Sequence, residues 1–154
     1  MSFLNKFPVI NLPKVVVYTD NLPENVGGRT NAFVVRIKNK YRDDAGIHAH
    51  EYEHVRQWYV GVLLGLIAAL ALITMPGLAA WAQLWPVAIA IAISLPSVAY
   101  AVIPAYKLWA EVKAYQVQAG YYADDRKPLF AQFISANYGL DITPEAALTL
   151  LRKK

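Results

Sequence analysis

The chain has 154 residues, 56% of them hydrophobic and only 17% charged, with a formal net charge of +4. A mean hydropathy of +0.28 excludes disorder over most of the length, and the absence of cysteine excludes disulfide scaffolds, thiol catalysis and cysteine-ligated metals. The basic balance could suit nucleic acid, but the basic residues are scattered without an aromatic-interleaved patch, and long apolar runs with four tryptophans point to lipid instead.

In chain order, residues 1–12 carry Asn5, Lys6, Pro8 and Asn11 and lack a continuous apolar core, so no signal peptide is expected there. Residues 14–18 are rich in valine and read as a short strand. Residues 21–31 contain Pro23, Gly27 and Gly28 and read as a turn or loop. Residues 32–41 alternate, with Phe33, Val35 and Ile37 on one face and Val34, Arg36 and Lys38 on the other, which predicts a second strand. A small β unit is thus expected over 14–44. Asp43 and Asp44 then offer an N-cap for a helix over 45–58.

Between Arg56 and Lys107 lie 50 residues without a charge. Pro76-Gly77 and the stretch from Trp81 to Pro86 interrupt this run, leaving arms at 59–80 and 85–106 of 22 residues each. A helix of that length is ~33 Å long, enough to cross a bilayer core. Trp58, Tyr59, Tyr106 and Trp109 gather at one end of the arms, and Trp81 and Trp85 at the other, as interfacial anchoring requires. The arms therefore read as a transmembrane hairpin over 59–106, or else as a hairpin buried within a helical protein or an oligomer. Lys6, Lys14, Arg56, Lys107, Arg126 and Lys127 flank one end of the hairpin, whereas residues 78–85 carry no charge. The positive-inside tendency then places both termini in the cytoplasm. Beyond the hairpin, residues 108–122 continue as helix, 124–128 form a charged turn, and 128–137 and 143–153 are two short helices. Thr143 is the expected N-cap of the last, with Pro144 in its first position.

The chemistry is concentrated in one place. All three histidines, His48, His50 and His54, fall within seven residues, and His50-Glu51-Tyr52-Glu53-His54 fits H-E-x-x-H on the expected helix. Spacing of i and i+4 puts His50 and His54 on one face, where both imidazoles can share a tetrahedral zinc ion. Glu51 beside them can accept a proton from the metal's water. His48 lies about 160° around the helix from His50 and reads as a surface histidine. Glu53 faces away from Glu51, as a surface carboxylate or a support for the ligands. A catalytic zinc needs a third ligand, and a carboxylate must supply it. Glu111 fits, because a helical hairpin returns it to the level of the histidines. Gly61 and Gly65 form a notch for close helix approach on the face of His54, with Ser97, Ala101 and Pro104 as small residues on the returning arm. Glu145 is instead explained by its place at a helix N-terminus.

These residues resemble the gluzincin metallopeptidases. The order His50-Glu51-x-x-His54, apolar hairpin, Glu111-Val112-Lys113-Ala114 is similar to that of the integral-membrane gluzincins, including the heat-shock membrane protease HtpX and the CAAX-processing endopeptidases. In those families two membrane helices separate H-E-x-x-H from E-x-x-A-D. Here Tyr115 stands where they carry the aspartate that steadies a histidine ligand. His50 to Gln57 and Glu111-x-x-Ala114-Tyr115 also resemble small minigluzincin-like proteins. The resemblance implies a mainly α, zincin-like α+β fold in a single minimal domain over 1–154, with the hairpin inserted between the 45–58 helix and a third-ligand helix over 107–122, and with C-terminal helices over 128–154. It further implies that the strand at 32–41 is an edge strand, so that Phe33, Val34 and Val35 would pair with an extended peptide substrate.

Two functions follow as expectations. One is a zinc-dependent membrane endopeptidase with His50, His54 and Glu111 as ligands and Glu51 as general base. Tyr115, one turn after Glu111, would donate to the oxyanion or pack as a buried tyrosine. The other is an inactive gluzincin-like membrane protein with a structural or binding role.

Overall fold

A computed structural model describes residues 12–74 and 83–153. The expected N-terminal segment before Leu12 and the hairpin tip, with Pro76-Gly77 and Trp81, lie outside the described residues.

The protein is mainly helical with a small three-stranded sheet. Strand β1 (Val15–Tyr18) runs parallel to β3 (Val34–Ile37), and β2 (Gly28–Asn31) runs antiparallel to it, in the order β1-β3-β2. Two expectations are corrected by this sheet. The stretch 21–31 is not all loop, because its last residues form β2. Gly-Arg-Thr-Asn has no apolar alternation to announce a strand; it becomes one by pairing with β3, Thr30 opposite Val35. The second correction concerns the edge. Val34 and Val35 lie in the central strand, whose backbone is paired on both sides, so they cannot add a peptide to the sheet. Phe33 lies in the tight turn before β3 and packs against Trp58, with ring centroids 5.9 Å apart. The other turn residue, Ala32, has φ 55, in the left-handed region usually given to glycine.

The alternation of β3 holds. Val35 and Ile37 are fully buried and form one core with Val55, to which Val16, Tyr41, Ile47 and Tyr52 add partly buried surface. That core packs the sheet onto helix α1 (Ala45–Ile73). Asp44 caps α1 as expected, its Oδ1 accepting from the amides of Gly46 and Ile47 at 2.9 and 3.1 Å. The Tyr122 hydroxyl donates to the same oxygen at 2.7 Å and lies directly over Gly46, where a Cβ would collide with the ring.

The helix expected over 45–58 and the first apolar arm are one continuous helix of 29 residues, ~43 Å long at 1.5 Å per residue. Nothing between Trp58 and Tyr59 breaks a helix; only the chemistry of the side chains changes there. The second arm is α2 (Trp85–Val102), shorter than expected because Ile103 is extended and Pro104 begins a new helix, α3 (Pro104–Ala119).

The glycine notch is used. A Cβ at Gly61 would come within 2.6 Å of Pro96, and one at Gly65 within 3.1 Å of Ala92. A step of four along α1 is thus matched by a step of four back along α2, which defines an antiparallel pair at close approach. The partners are Pro96 and Ala92, the buried residues of α2, while Ser97, Ala101 and Pro104 are exposed. The outer faces of both helices are apolar and open. Leu64, Leu70, Ile91 and Val102 are each more than half exposed. Both α1 and α2 are long and apolar enough to cross a membrane.

The C-terminal part packs behind α3. Helices α4 (Lys127–Asn137) and α5 (Pro144–Arg152) form a second core of Phe130, Ala131, Ile134, Ala147 and Leu151 against Val112 and Tyr115. Thr143 caps α5, with Pro144 in its first position.

Candidate metal centre

The centre is made where α1 and α3 lie side by side. His50 and His54 project from one face of α1, one turn apart, and Glu111 meets them from α3. The Nε2 atoms of His50 and His54 are 3.3 Å apart. Glu111 places Oε2 3.5 Å from His50 Nε2 and Oε1 3.4 Å from His54 Nε2. In a tetrahedral site with bonds of about 2.0–2.1 Å, neighbouring ligand atoms are about 3.3–3.4 Å apart. The two histidine nitrogens have that spacing, Glu111 approaches each of them through a different oxygen, and the three side chains form a group that could hold a metal ion, with ligand atoms within 4.8 Å of one another.

Burial sharpens the point. Glu111 is 1% exposed and His50 6%. Among the described residues, two buried side-chain polar atoms have no hydrogen-bond partner, His50 Nδ1 and Glu111 Oε2. An orphaned carboxylate oxygen in such a place is costly unless a cation compensates it. The other oxygen, Oε1, accepts a short hydrogen bond from the Tyr100 hydroxyl. Glu111 is thus anchored through one oxygen, while the free one faces His50. Burial alone would raise the Glu111 carboxyl, but His54 and His50 beside it outweigh that and hold it well below the usual carboxylate range.

Glu51 is also buried. Its Oε2 accepts from the Thr30 hydroxyl at 2.7 Å, and the same hydroxyl reaches the Glu51 carbonyl at 3.1 Å. Its carboxylate lies against the Cα of Gly28, where a Cβ would come within 2.6 Å of Oε1. An otherwise unremarkable strand, β2, is therefore what holds the residue next to the first histidine. Strand β2 is an edge of the sheet and packs beside α1, whereas residues 34–37 form its central strand.

The remaining candidates are placed plainly. His48 stands apart from the centre, its Nε2 2.8 Å from the Arg42 carbonyl and its Nδ1 3.3 Å from the Tyr52 hydroxyl. Glu145 is exposed in the first turn of α5. Glu53 is buried and held by Arg56, which donates from Nε at 2.8 Å. Tyr115 packs its ring on His50 at 4.4 Å between centroids, and its hydroxyl lies 3.0 Å from that of Tyr138. Burial pushes the Tyr115 phenol above its ordinary pKa. With a tyrosine at this position, His50 Nδ1 has no acceptor.

Tyr100 and Thr30 are not singled out by the sequence, and Gln57 enters there only as part of the stretch from His50 to Gln57, without a role. Tyr100 stands one turn beyond Pro96 on the side of α2 that meets α1, opposite the turn of Gln57, and its ring reaches that of His54 with centroids 6.0 Å apart. Gln57 is the one polar residue between His54 and the apolar arm other than Arg56. Thr30 carries no sequence signal. No known protein family, curated protein or solved structure matches the chain.

Proposed function

We propose that the chain is a zinc-dependent, membrane-associated endopeptidase. The observation that carries this reading is the convergence of two imidazole nitrogens and one carboxylate within reach of a single ion, with a second carboxylate, Glu51, next to His50 along the chain. The donor set of two nitrogens and one oxygen suits zinc and leaves a coordination position open. When bound, zinc would supply Lewis-acid polarisation of the scissile carbonyl and acidify water. His50, His54 and Glu111 would hold it. Glu51 would take the proton of the attacking water and return it to the leaving amine. Thr30 orients that carboxylate, and the free edge of β2 beside it suits an extended peptide.

The apolar outer faces of α1 and α2 support a bilayer location. Burying a large aliphatic side chain is worth about 1.5–3 kcal/mol, so so many exposed together are disfavoured in water and favoured in lipid. Tyr106 and Trp109, stacked at 5.6 Å, and Trp58 with Tyr59 would lie at the cytoplasmic interface near the metal centre. Both termini would then lie in the cytoplasm.

One observation favours the second reading, an inactive membrane protein that keeps a metal for stability. His50 lacks the acceptor that ligand histidines usually have, and the site is closely covered. Purified protein assayed on a denatured protein substrate separates the two. Under the first reading, wild type cleaves, and Glu51→Gln retains zinc but loses at least ~100-fold in rate. Zinc without cleavage in wild type establishes the second.

A further inference from the structure

The two histidines of the centre are supported unequally, and the difference identifies a residue with a defined task. His54 Nδ1 lies 3.1 Å from Gln57 Oε1. The Gln57 amide nitrogen donates in two other directions, to the Ala110 carbonyl at 3.2 Å and to Glu53 Oε1 at 3.3 Å. Gln57 is buried, so its amide cannot turn out to water for other partners.

The chemistry of these partners fixes the orientation. A backbone carbonyl and a carboxylate only accept, so the NH₂ end of Gln57 must face them. The carbonyl end is then committed to His54, and it too only accepts. His54 must therefore carry its proton on Nδ1, which leaves the Nε2 lone pair directed at His50 and Glu111. Arg56 secures the arrangement from outside by pairing with both oxygens of Glu53, at 2.8 and 2.5 Å. Ala110 immediately precedes Glu111, so the same amide also ties the helix of the histidines to the helix of the carboxylate.

We infer that Gln57 is a positioning residue: it locks His54 in the Nδ1–H tautomer, in register with Glu111, so that Nε2 is the metal-binding atom. The inference rests on the metal reading of the centre. It also explains how the centre could keep affinity although His50 Nδ1 has no acceptor.

The test loads the full chain, in detergent, with zinc and with cadmium-113. In the cadmium form with nitrogen-15 histidine, coupling to the metal is expected at His54 Nε2, with the proton on Nδ1. Coupling at Nδ1 overturns the inference whatever any variant does. Gln57→Met keeps the side-chain volume and loses the amide, so a merely space-filling role predicts unchanged zinc affinity. Loss of the lock instead predicts zinc binding weaker by about 10–100-fold, the usual effect of removing a partner that orients a ligand. Wild-type affinity in Gln57→Met overturns the positioning role while leaving the metal centre intact. Failure of the wild type to bind either metal removes both.

Discussion

The two halves of α1 have the same backbone and opposite surroundings. Its first half lies between the sheet and α3, with His50, Glu51, Glu53, Val55 and Gln57 all buried. Its second half meets α2 along one narrow line at Gly61 and Gly65 and leaves Leu63, Leu64, Ile67 and Leu70 open. In the first half polar groups are buried and, apart from His50 Nδ1, hydrogen-bonded, whereas in the second apolar groups are exposed among the described residues. The contrast shows how one rigid helix can fix a polar centre at a set distance from an apolar surface, with no loop between them to blur the geometry.

The largest expected effect lies in the polar half. Glu111→Ala should weaken zinc binding by more than about 100-fold, since even residues that merely orient ligands cost 10–100-fold. Glu145→Ala should leave the metal in place and alter stability by less than ~1 kcal/mol. Isothermal titration of the two variants checks this, and the reverse pattern would break the assignment of α3 as the ligand helix.

The apolar half comes next. Ile67→Asp should disfavour membrane insertion by about 3–4 kcal/mol, read from the fraction of chain partitioning with lipid. The same substitution should leave zinc affinity within threefold of wild type, because the polar half is packed independently. Joint loss of both properties would mean that the two halves are less separable than their surroundings indicate.

A smaller effect belongs to the seam. Gly61→Leu should force α1 and α2 apart at Pro96 and cost about 1–3 kcal/mol in a thermal or denaturant melt. Smallest is Ala32→Gly, which removes a left-handed alanine from the turn into β3 and should stabilise by up to about 1 kcal/mol. A loss of stability there would show that the Ala32 methyl has a packing role.

How much of this was legible in the sequence follows the same divide. H-E-x-x-H, the hairpin and the return of Glu111 could be read because helical spacing and length fix them within one turn. Asp44 and Thr143 could be read as caps because their function is local. Strand β2 could not, since its four residues owe their conformation to β3. The edge role of residues 33–35 failed for the same reason: strand order is set by pairing across the chain, which alternation does not encode. Tyr100 was hidden among aromatics that read as interfacial anchors, although the antiparallel register of α1 and α2 places it at the centre. Gln57 was visible three residues after His54, but its meaning depends on the Ala110 carbonyl, which belongs to another helix.

The central claim is that His50, His54 and Glu111 together hold one metal ion. Its most direct test is the metal content of purified chain measured beside a His50→Ala, His54→Ala double variant. About one zinc per wild-type chain, and none in the double variant, is the expected result. Stoichiometric zinc in the double variant, or none in the wild type after incubation with zinc at neutral pH, would contradict it.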